Sequence, residues 1–536
     1  MISISRKKPL TDNEFSLSSE VSVDDFLEEL SQGCSIETDR PVYVDRTYYD
    51  SFDWRIFEAG GRLCHERHRD DRKLIWCSTQ QGIPKITLPR IAKVPNFSDQ
   101  FAVGAMRSVI APSLEMRALM PKVDLVTRVQ LVRVLDDERK TVVRVKVEEN
   151  RVRPKKEQDK EGKDGFVSTR IEIMPVRGYE DDLNRLRERF SKLDCLTTGM
   201  PKLLEEAMAV VGDPIGSYST KLKFHFNPQL QVNQAVQQIH SFLLGIMEVN
   251  MTGVRDDTDS EFLHDFRVAV RRTRSALTQI KGVFTDKQVA YFSERFSWLG
   301  QITGPTRDMH VYLLDFSKYR DSLPERFRSD LKPLKSFLRE HQRKELNKLV
   351  KRMSSPEFEE LFNEWRNFLL HDALSEEGES ATQKVGEVAS KRIAKMYQRV
   401  MDEGRAINAS SVPEDLHELR KSCKKLRYLM EFFVSIYPPD LINGLIKEIK
   451  QLLDNLGDFQ DLEVQAEKLR DFAHQMAAEG NIPADTFLAM GMLVDGLLRR
   501  QLESREQFYD RFKAFSSSEN RKIFHALFVT NNGVKK

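Results

Sequence analysis

From residue 14 to about residue 225 the apolar positions keep no single period. Short runs alternate with polar residues, the mark of half-buried strands. RPVYVDRTYYDS (40–51) reads as one strand, and RLCHERH followed by KLIWCST (62–78) reads as a hairpin. A second hairpin spans 123–150, its arms alternating basic and β-branched residues around Asp136, Asp137 and Glu138. FVSTRIEIMPV (166–176) is a further strand. Two helices interrupt these strands: EVSVDDFLEELSQ, capped by Ser22, and GYEDDLNRLRERFSKL (178–193). The stretch 153–165 is a charged loop without apolar content.

From about residue 228 the period becomes 3.6 and the pattern predicts helices throughout. Breaks are expected near 250–260, 303–305, 354–356, 374–383, 410–413 and 438–439. They leave eight to ten helices. The fold class is therefore an α+β domain over 1–225 followed by an all-α domain over 226–530.

Composition adds mostly exclusions. The 536 residues are 40% hydrophobic and 31% charged, enough to build packed cores. No run approaches the roughly 18 apolar residues that a membrane helix needs, so membrane insertion is not expected. The start, MISISRKKPLTDNEF, lacks the apolar core of a secretory signal. Five cysteines, at 34, 64, 77, 195 and 423, show no CxxC spacing, which argues against a disulfide framework and favours a reducing, cytoplasmic setting. The ends, 1–12 and 530–536, read as disordered. Net charge is only +2, so any polyanion-binding surface must come from local arrangement.

That arrangement exists, twice. EFLHDFRVAVRRTR (261–274) aligns without a gap on EDLHELRKSCKKLR (414–427), at an offset of 153 residues. His264, Arg267, Arg271 and Arg274 fall on His417, Arg420, Lys424 and Arg427. The offset carries on to Gly304 and Asp308, which fall on Gly457 and Asp461. In each copy 44 residues separate the histidine from the aspartate. The helical region is thus an internal duplication, with repeats at about 226–370 and 384–530.

On a helix, the spacing 0, 3, 7, 10 gathers the four polar side chains on an arc of roughly 80°. Leu263, Phe266, Val270 and Leu277 lie beside that arc rather than opposite it, as do Leu416, Leu419, Cys423 and Met430. The cations thus stand at the lip of a packed surface. Arginine grips phosphate oxygens with a planar fork, and lysine offers a point charge. Arg272, Lys421 and Lys425 widen the stripe. Like charges so close repel, unless an anion neutralises them. A single copy would fit a structural role; two copies in register point to a ligand. Asp308 and Asp461, each in a turn after a glycine, are expected to cap a helix or pair with the basic helix.

LHDFRVAVRRTRSAL and LHELRKSCKKLRYLMEF resemble the signature helices of CHAD domains, and TGPTRDMHV and LGDFQDLEV resemble that family's recurring LG-x-x-(R/Q)D-x-x-V element. The resemblance covers roughly 228–525. It implies two four-helix bundles related by a pseudo-twofold axis and a basic central surface that binds inorganic polyphosphate. The implied contacts are His264, Arg267, Arg271, Arg274, His417, Arg420, Lys424 and Arg427, with Arg272, Lys421 and Lys425 alongside. Association with polyphosphate or other storage granules is a further expectation. RTYYDSFDWRIFEAGGRL (46–63), the arginine-bearing strands and STRIEIMPV resemble a CYTH domain of the triphosphate tunnel family. That implies an antiparallel β-barrel. In such enzymes paired glutamates hold a divalent metal. Here EFSLS (14–18) offers Glu14, Ser16 and Ser18 where an ExExK strand is expected, and the later glutamates reduce to Glu172. The domain is therefore expected to be degenerate and non-catalytic, with no cofactor. Arg128, Arg133, Arg144 and Lys146 remain as candidate anion contacts.

Four functions follow. The first is polyphosphate binding through the twin helices. The second is a metal-dependent triphosphatase or polyphosphatase in the N-terminal domain. The third is nucleic-acid binding, disfavoured because no aromatic platform accompanies the basic helices. The last is a helical scaffold.

Overall fold

A computed structural model describes residues 13–79, 85–153, 165–199, 202–374 and 378–530. The charged loop, apart from its two end residues, and both termini expected to be disordered, apart from Thr530, lie outside these residues. The chain divides into two units, Met1–Ser219 and Thr220–Lys536.

Among the described residues the first unit holds ten strands: β1 (Glu14–Leu17), β2 (Ser35–Thr38), β3 (Val42–Asp50), β4 (Gly61–His68), β5 (Asp71–Ser78), β6 (Ile86–Pro89), β7 (Met120–Leu135), β8 (Thr141–Val152), β9 (Phe166–Pro175) and β10 (Leu196–Thr198). All pairings are antiparallel, in the order β10-β1-β9-β8-β7-β3-β4-β5-β6, with β2 against β7. Both hairpins expected from the sequence are present as β4–β5 and β7–β8. Among the described residues five α-helices accompany the sheet: α1 (Val23–Ser31), α2 (Arg55–Glu58), α3 (Ala105–Leu114), α4 (Glu180–Phe190) and α5 (Leu203–Val211). Ser22 caps α1 in a reciprocal capping box with Asp25, satisfying two backbone donors. Strand alternation sends Phe15, Val132, Val145, Val147 and Ile171 to one face, where α1 and α4 cover them with Phe26, Leu30 and Phe190. The other face is polar and carries Arg46, Glu148, Lys146 and Arg170.

The second unit contains ten α-helices among the described residues: α6 (Val232–Arg255), α7 (Ser260–Gln279), α8 (Asp286–Ser322), α9 (Lys332–Met353), α10 (Pro356–Asn367), α11 (Val385–Ala406), α12 (Pro413–Phe432), α13 (Pro439–Glu479), α14 (Ala484–Phe515) and α15 (Ser518–Phe528). The duplication is plain in their bounds. The first residues of α6, α7 and α8 precede those of α11, α12 and α13 by 153 residues each. Local chemistry sets these starts. Asp259 accepts from two backbone N–H groups of α7, Thr285 and Gln288 form a capping box on α8, and Pro413 opens α12.

Each repeat has its own aromatic core. In the first, Trp365 is fully buried against Phe292, Phe296 and Phe368. In the second, Phe515, Phe524 and Phe528 pack with Tyr397 and Tyr437. A third core belongs to both repeats. It joins Met309, Tyr312 and Phe316 of α8 and Leu334 and Phe337 of α9 to Leu469 and Phe472 of α13 and Met490 and Leu493 of α14. The long helices α8 and α13 thus begin in their own repeat and end in a shared one. The four-helix arithmetic becomes five helices per repeat, because α10 and α15 add a short closing helix to each.

One expected break is absent. Pro305 lies inside the continuous helix α8, where an interior proline normally costs about 3 kcal/mol. The helix runs through it, and Arg267 donates to the nearby carbonyl of Gly300 at 2.8 Å. Asp308 and Asp461 consequently sit in the middle of helices and cap nothing.

Candidate functional site: twin cationic helices

Helices α7 and α12 pack against each other and carry the repeated motif. Their apolar stripes are buried: Leu263, Phe266 and Val270 in one, Leu416, Leu419 and Cys423 in the other. This holds the adjoining cations at the edge of the core, half out of water.

In the first repeat, Arg267 is half-buried and donates Nη1 to Gly300 O and to Thr303 Oγ1 at 2.7 Å. Burial, then repulsion from Arg271 and Arg307, lowers it to about 10. It stays charged at neutral pH, at a cost that a nearby anion would relieve. Arg307 Nη2 donates to His264 Nδ1 at 3.0 Å, so the imidazole proton belongs on Nε2. Arg271 and Arg274 are exposed.

In the second repeat, Arg420 donates to Gln460 Oε1 at 2.6 Å and to both carboxylate oxygens of Asp461, at 3.0 and 3.3 Å. The expected pairing of Asp461 with the basic helix is present; Asp308 makes no such bond to Arg267. Lys424 is half-buried, and burial, then Arg420 and Arg271, lower it to about 8. Arg271 belongs to the other repeat, so the two stripes meet at this point. His417 is held below the ordinary histidine value by burial and then by Lys421.

Not every candidate faces that meeting place. Arg272 donates to Thr220 O at 2.9 Å and reaches Glu431 at 3.5 Å. Arg427 lies over the Tyr428 ring and 3.7 Å from the same glutamate. Glu431 thus ties α7 and α13 to α12 through Arg272 and Lys450, while its contact with Arg427 lies one turn along α12 itself. Lys421 pairs with Glu418 one turn back on its own helix. Lys425 is half-buried. Arg307, which the spacing of the basic motif does not include, joins the site through His264. Arg307 stands in the G-x-x-R-D element, which could have flagged it.

On the sheet unit's polar face, the charges neutralise one another. Arg46 reaches Glu66 at 2.9 Å and Glu148 at 2.7 Å, Lys73 reaches Glu66 at 3.2 Å, and Lys146 reaches Glu148 at 2.6 Å. Burial would raise Glu148, yet Arg46 overcomes it and holds the carboxyl at about 2. These side chains line a cavity of about 210 Å³. Arg133 is taken by Glu37 and Asp39. Arg128, opposite Tyr43 and Glu149 in the register, belongs to the other face from Arg133, Arg144 and Lys146. Glu14 lies opposite Glu172, and burial raises it, with Glu172 adding to the effect. Among the described residues no group of three His, Cys, Asp or Glu side chains is placed to hold a metal ion.

The helical unit is therefore of the class in which duplicated helices bring cations together across an internal repeat. Residues 240–470 match the model of the CHAD domain family, and this stretch is a CHAD domain. The uncharacterized protein Rv2226 of Mycobacterium tuberculosis (strain ATCC 25618 / H37Rv) is 26% identical over 227 residues, 42% of this chain and 42% of that protein. The chain thus spans about two fifths of the length of that curated relative. The structure of the CHAD domain from the plant Ricinus communis is 21% identical, covers 58% of this chain and 96% of its own, and has a TM-score of 0.46. That of a putative adenylate cyclase from Bacillus halodurans is 13% identical, covers 36% and 94%, and has a TM-score of 0.25. No helix among the described residues is long and apolar enough to cross a membrane.

Proposed function

We propose that this protein binds inorganic polyphosphate along the stripe shared by α7 and α12, through Arg267, Arg271, Arg274, Arg420, Lys424 and the two motif histidines. One observation carries the reading: α7 and α12 pack together and bring Arg271 of one repeat beside the half-buried Lys424 of the other, a crowding of cations that, with burial, holds Lys424 below its ordinary value. A polyanion removes that repulsion, and a chain of evenly spaced charges matches cations on successive turns. Granule association follows if such chains are held in granules. The sheet unit is proposed to be non-catalytic, because the charges of its polar face already pair with one another.

Titration calorimetry with polyphosphate at two salt concentrations tests this. The comparison is with Arg267→Ala/Arg271→Ala/Arg420→Ala/Lys424→Ala, checked for intact helicity. Wild type is expected to bind, more weakly at higher salt as counterions compete, and the variant to lose at least about 100-fold, since each lost charge-assisted contact is worth roughly tenfold or more. Equal binding by both proteins would place the site elsewhere. Phosphate release in Mg²⁺ or Mn²⁺ should stay at background; turnover would restore the enzyme reading.

A further inference from the structure

The two halves of the stripe come from one duplication but are not chemically equal. The difference lies on α8 and α13, the helices beneath the basic pair. At equivalent positions α8 carries Gln301, Pro305, Arg307 and Asp308, whereas α13 carries Asp454, Asp458, Gln460 and Asp461. The first set has one cation and one carboxylate. The second has three carboxylates and no cation. In the first half Arg267 leans on neutral acceptors, and Arg307 adds a guanidinium beside His264. In the second half Arg420 is already held by Asp461 and Gln460. Arg307 itself is anchored: Nη1 donates to Ser260 O at 3.1 Å, with Glu261 at 3.8 Å. That fixes its position.

We propose that the α7/α8 half is the entry subsite for a terminal oligophosphate, with Arg307 as a further phosphate-binding residue, and that Asp461, backed by Asp454 and Asp458, keeps the α12/α13 half closed until a chain anchored in the first half displaces it. This rests on the polyphosphate reading. The physical reason is competition. An incoming phosphate must take Arg420 from an existing carboxylate in the second half, against repulsion from two more. In the first half it meets Arg267, held by neutral acceptors only through Nη1, and an additional cation whose carboxylate neighbour Glu261 stands off at 3.8 Å. A long chain overcomes the difference because its second contact is intramolecular, at high effective concentration.

The test uses the full chain, with tripolyphosphate and long-chain polyphosphate as probes in calorimetry. Wild type is expected to bind one tripolyphosphate. Arg307→Gln, which copies the second repeat into the first, is expected to weaken tripolyphosphate about tenfold. The converse variant, Gln460→Arg/Asp461→Asn, acts at a half-exposed position and does not depend on Arg307 folding contacts. It is expected to admit a second tripolyphosphate per chain. Two equivalent tripolyphosphates on wild type would overturn the inequality, as would unchanged binding in both variants. Wild type that takes long chains but no tripolyphosphate would overturn the entry subsite and leave the polyphosphate reading standing. No binding of either probe would remove both.

Discussion

Lys424 is a motif residue whose chemistry is strongly altered by its place. Arg420 and Arg427 flank it on α12, Arg271 faces it from α7, and Asp461 of α13 offsets them in part. With burial, these hold it at about 8, well below an ordinary lysine. The sign follows directly. Between about pH 8 and 10 the unfolded chain keeps a proton that the folded, ligand-free protein has released, so folding stability rises with pH across that window. Bound polyphosphate does the opposite, stabilising the charged amine. Binding near pH 8 is thus expected to take up about half a proton per chain. Calorimetry in two buffers of different ionisation heat reads this. Lys424→Arg should abolish the uptake, and wild-type affinity should fall as pH climbs above 8. Identical buffer dependence in the two proteins would place Lys424 away from the anion. His240 shows the contrasting fate of a basic residue. It is fully buried beside Trp365, with neither ring nitrogen bonded within the protein, and burial lowers it to about 3. Nothing in its sequence context marks it as core rather than site, whereas the motif histidines recur at a fixed offset.

At the scale of elements, glycines let the long helices approach the basic pair. A Cβ on Gly457 would lie 3.3 Å from Arg420 Nη2, so the guanidinium would have to give way. A Cβ on Gly300 would meet Arg274 Nη1 at an ordinary 3.7 Å. Alanine within a helix is worth about 0.5–1 kcal/mol over glycine. Gly300→Ala is therefore expected to gain close to that amount in denaturant unfolding, and Gly457→Ala clearly less. A larger gain at 457 would mean that Arg420 is not held where the helices meet. Gly304 is a different case, because the following Pro305 disfavours the helical conformation for a residue with a Cβ. The same proline explains the one misplaced break in the sequence reading. A Gly-Pro pair is a sound turn signal locally, but tertiary packing of α8 overrides it. The starts of α7, α11, α12 and α13 were legible because caps and periodicity act within a few residues, whereas the break before α8 was not among those expected. Strands β2, β6 and β10 were not, being only three or four residues long and set by their neighbours' register. Likewise, Arg427 belongs to the motif by spacing and Arg272 flanks it, yet both are drawn to Glu431, which is distant in sequence from Arg272.

At the scale of the helical unit, periodicity revealed which helix faces are apolar but not which faces meet. The duplication invites a picture of two independent bundles, and the shared core contradicts it. Tyr312 of α8 makes an edge contact with Phe472 of α13 at 5.3 Å, and Phe472 also meets Phe337 of α9 at 5.6 Å. Leu469, Met476 and Ala489 are completely buried in that cluster, together with Leu334 and Leu338 from the other repeat. Burying one large apolar side chain is worth about 1.5–3 kcal/mol, whereas a whole domain is stable by only about 5–15 kcal/mol. A repeat cut free at the linker would expose its half of this cluster and lose more than it can spare. Residues 220–374 and 378–530, produced separately, are therefore expected to be unfolded or aggregated, and to recover helical signal and a cooperative melt when mixed or co-expressed. Phe472→Asp in the intact protein should destabilise both repeats in a single transition, since one core serves both. A separate half that is monomeric and melts cooperatively by itself would show that the shared core only joins repeats that fold alone. In that case the cations of α7 and α12 would be brought together by docking, and polyphosphate affinity would depend on half-protein concentration when the two are mixed.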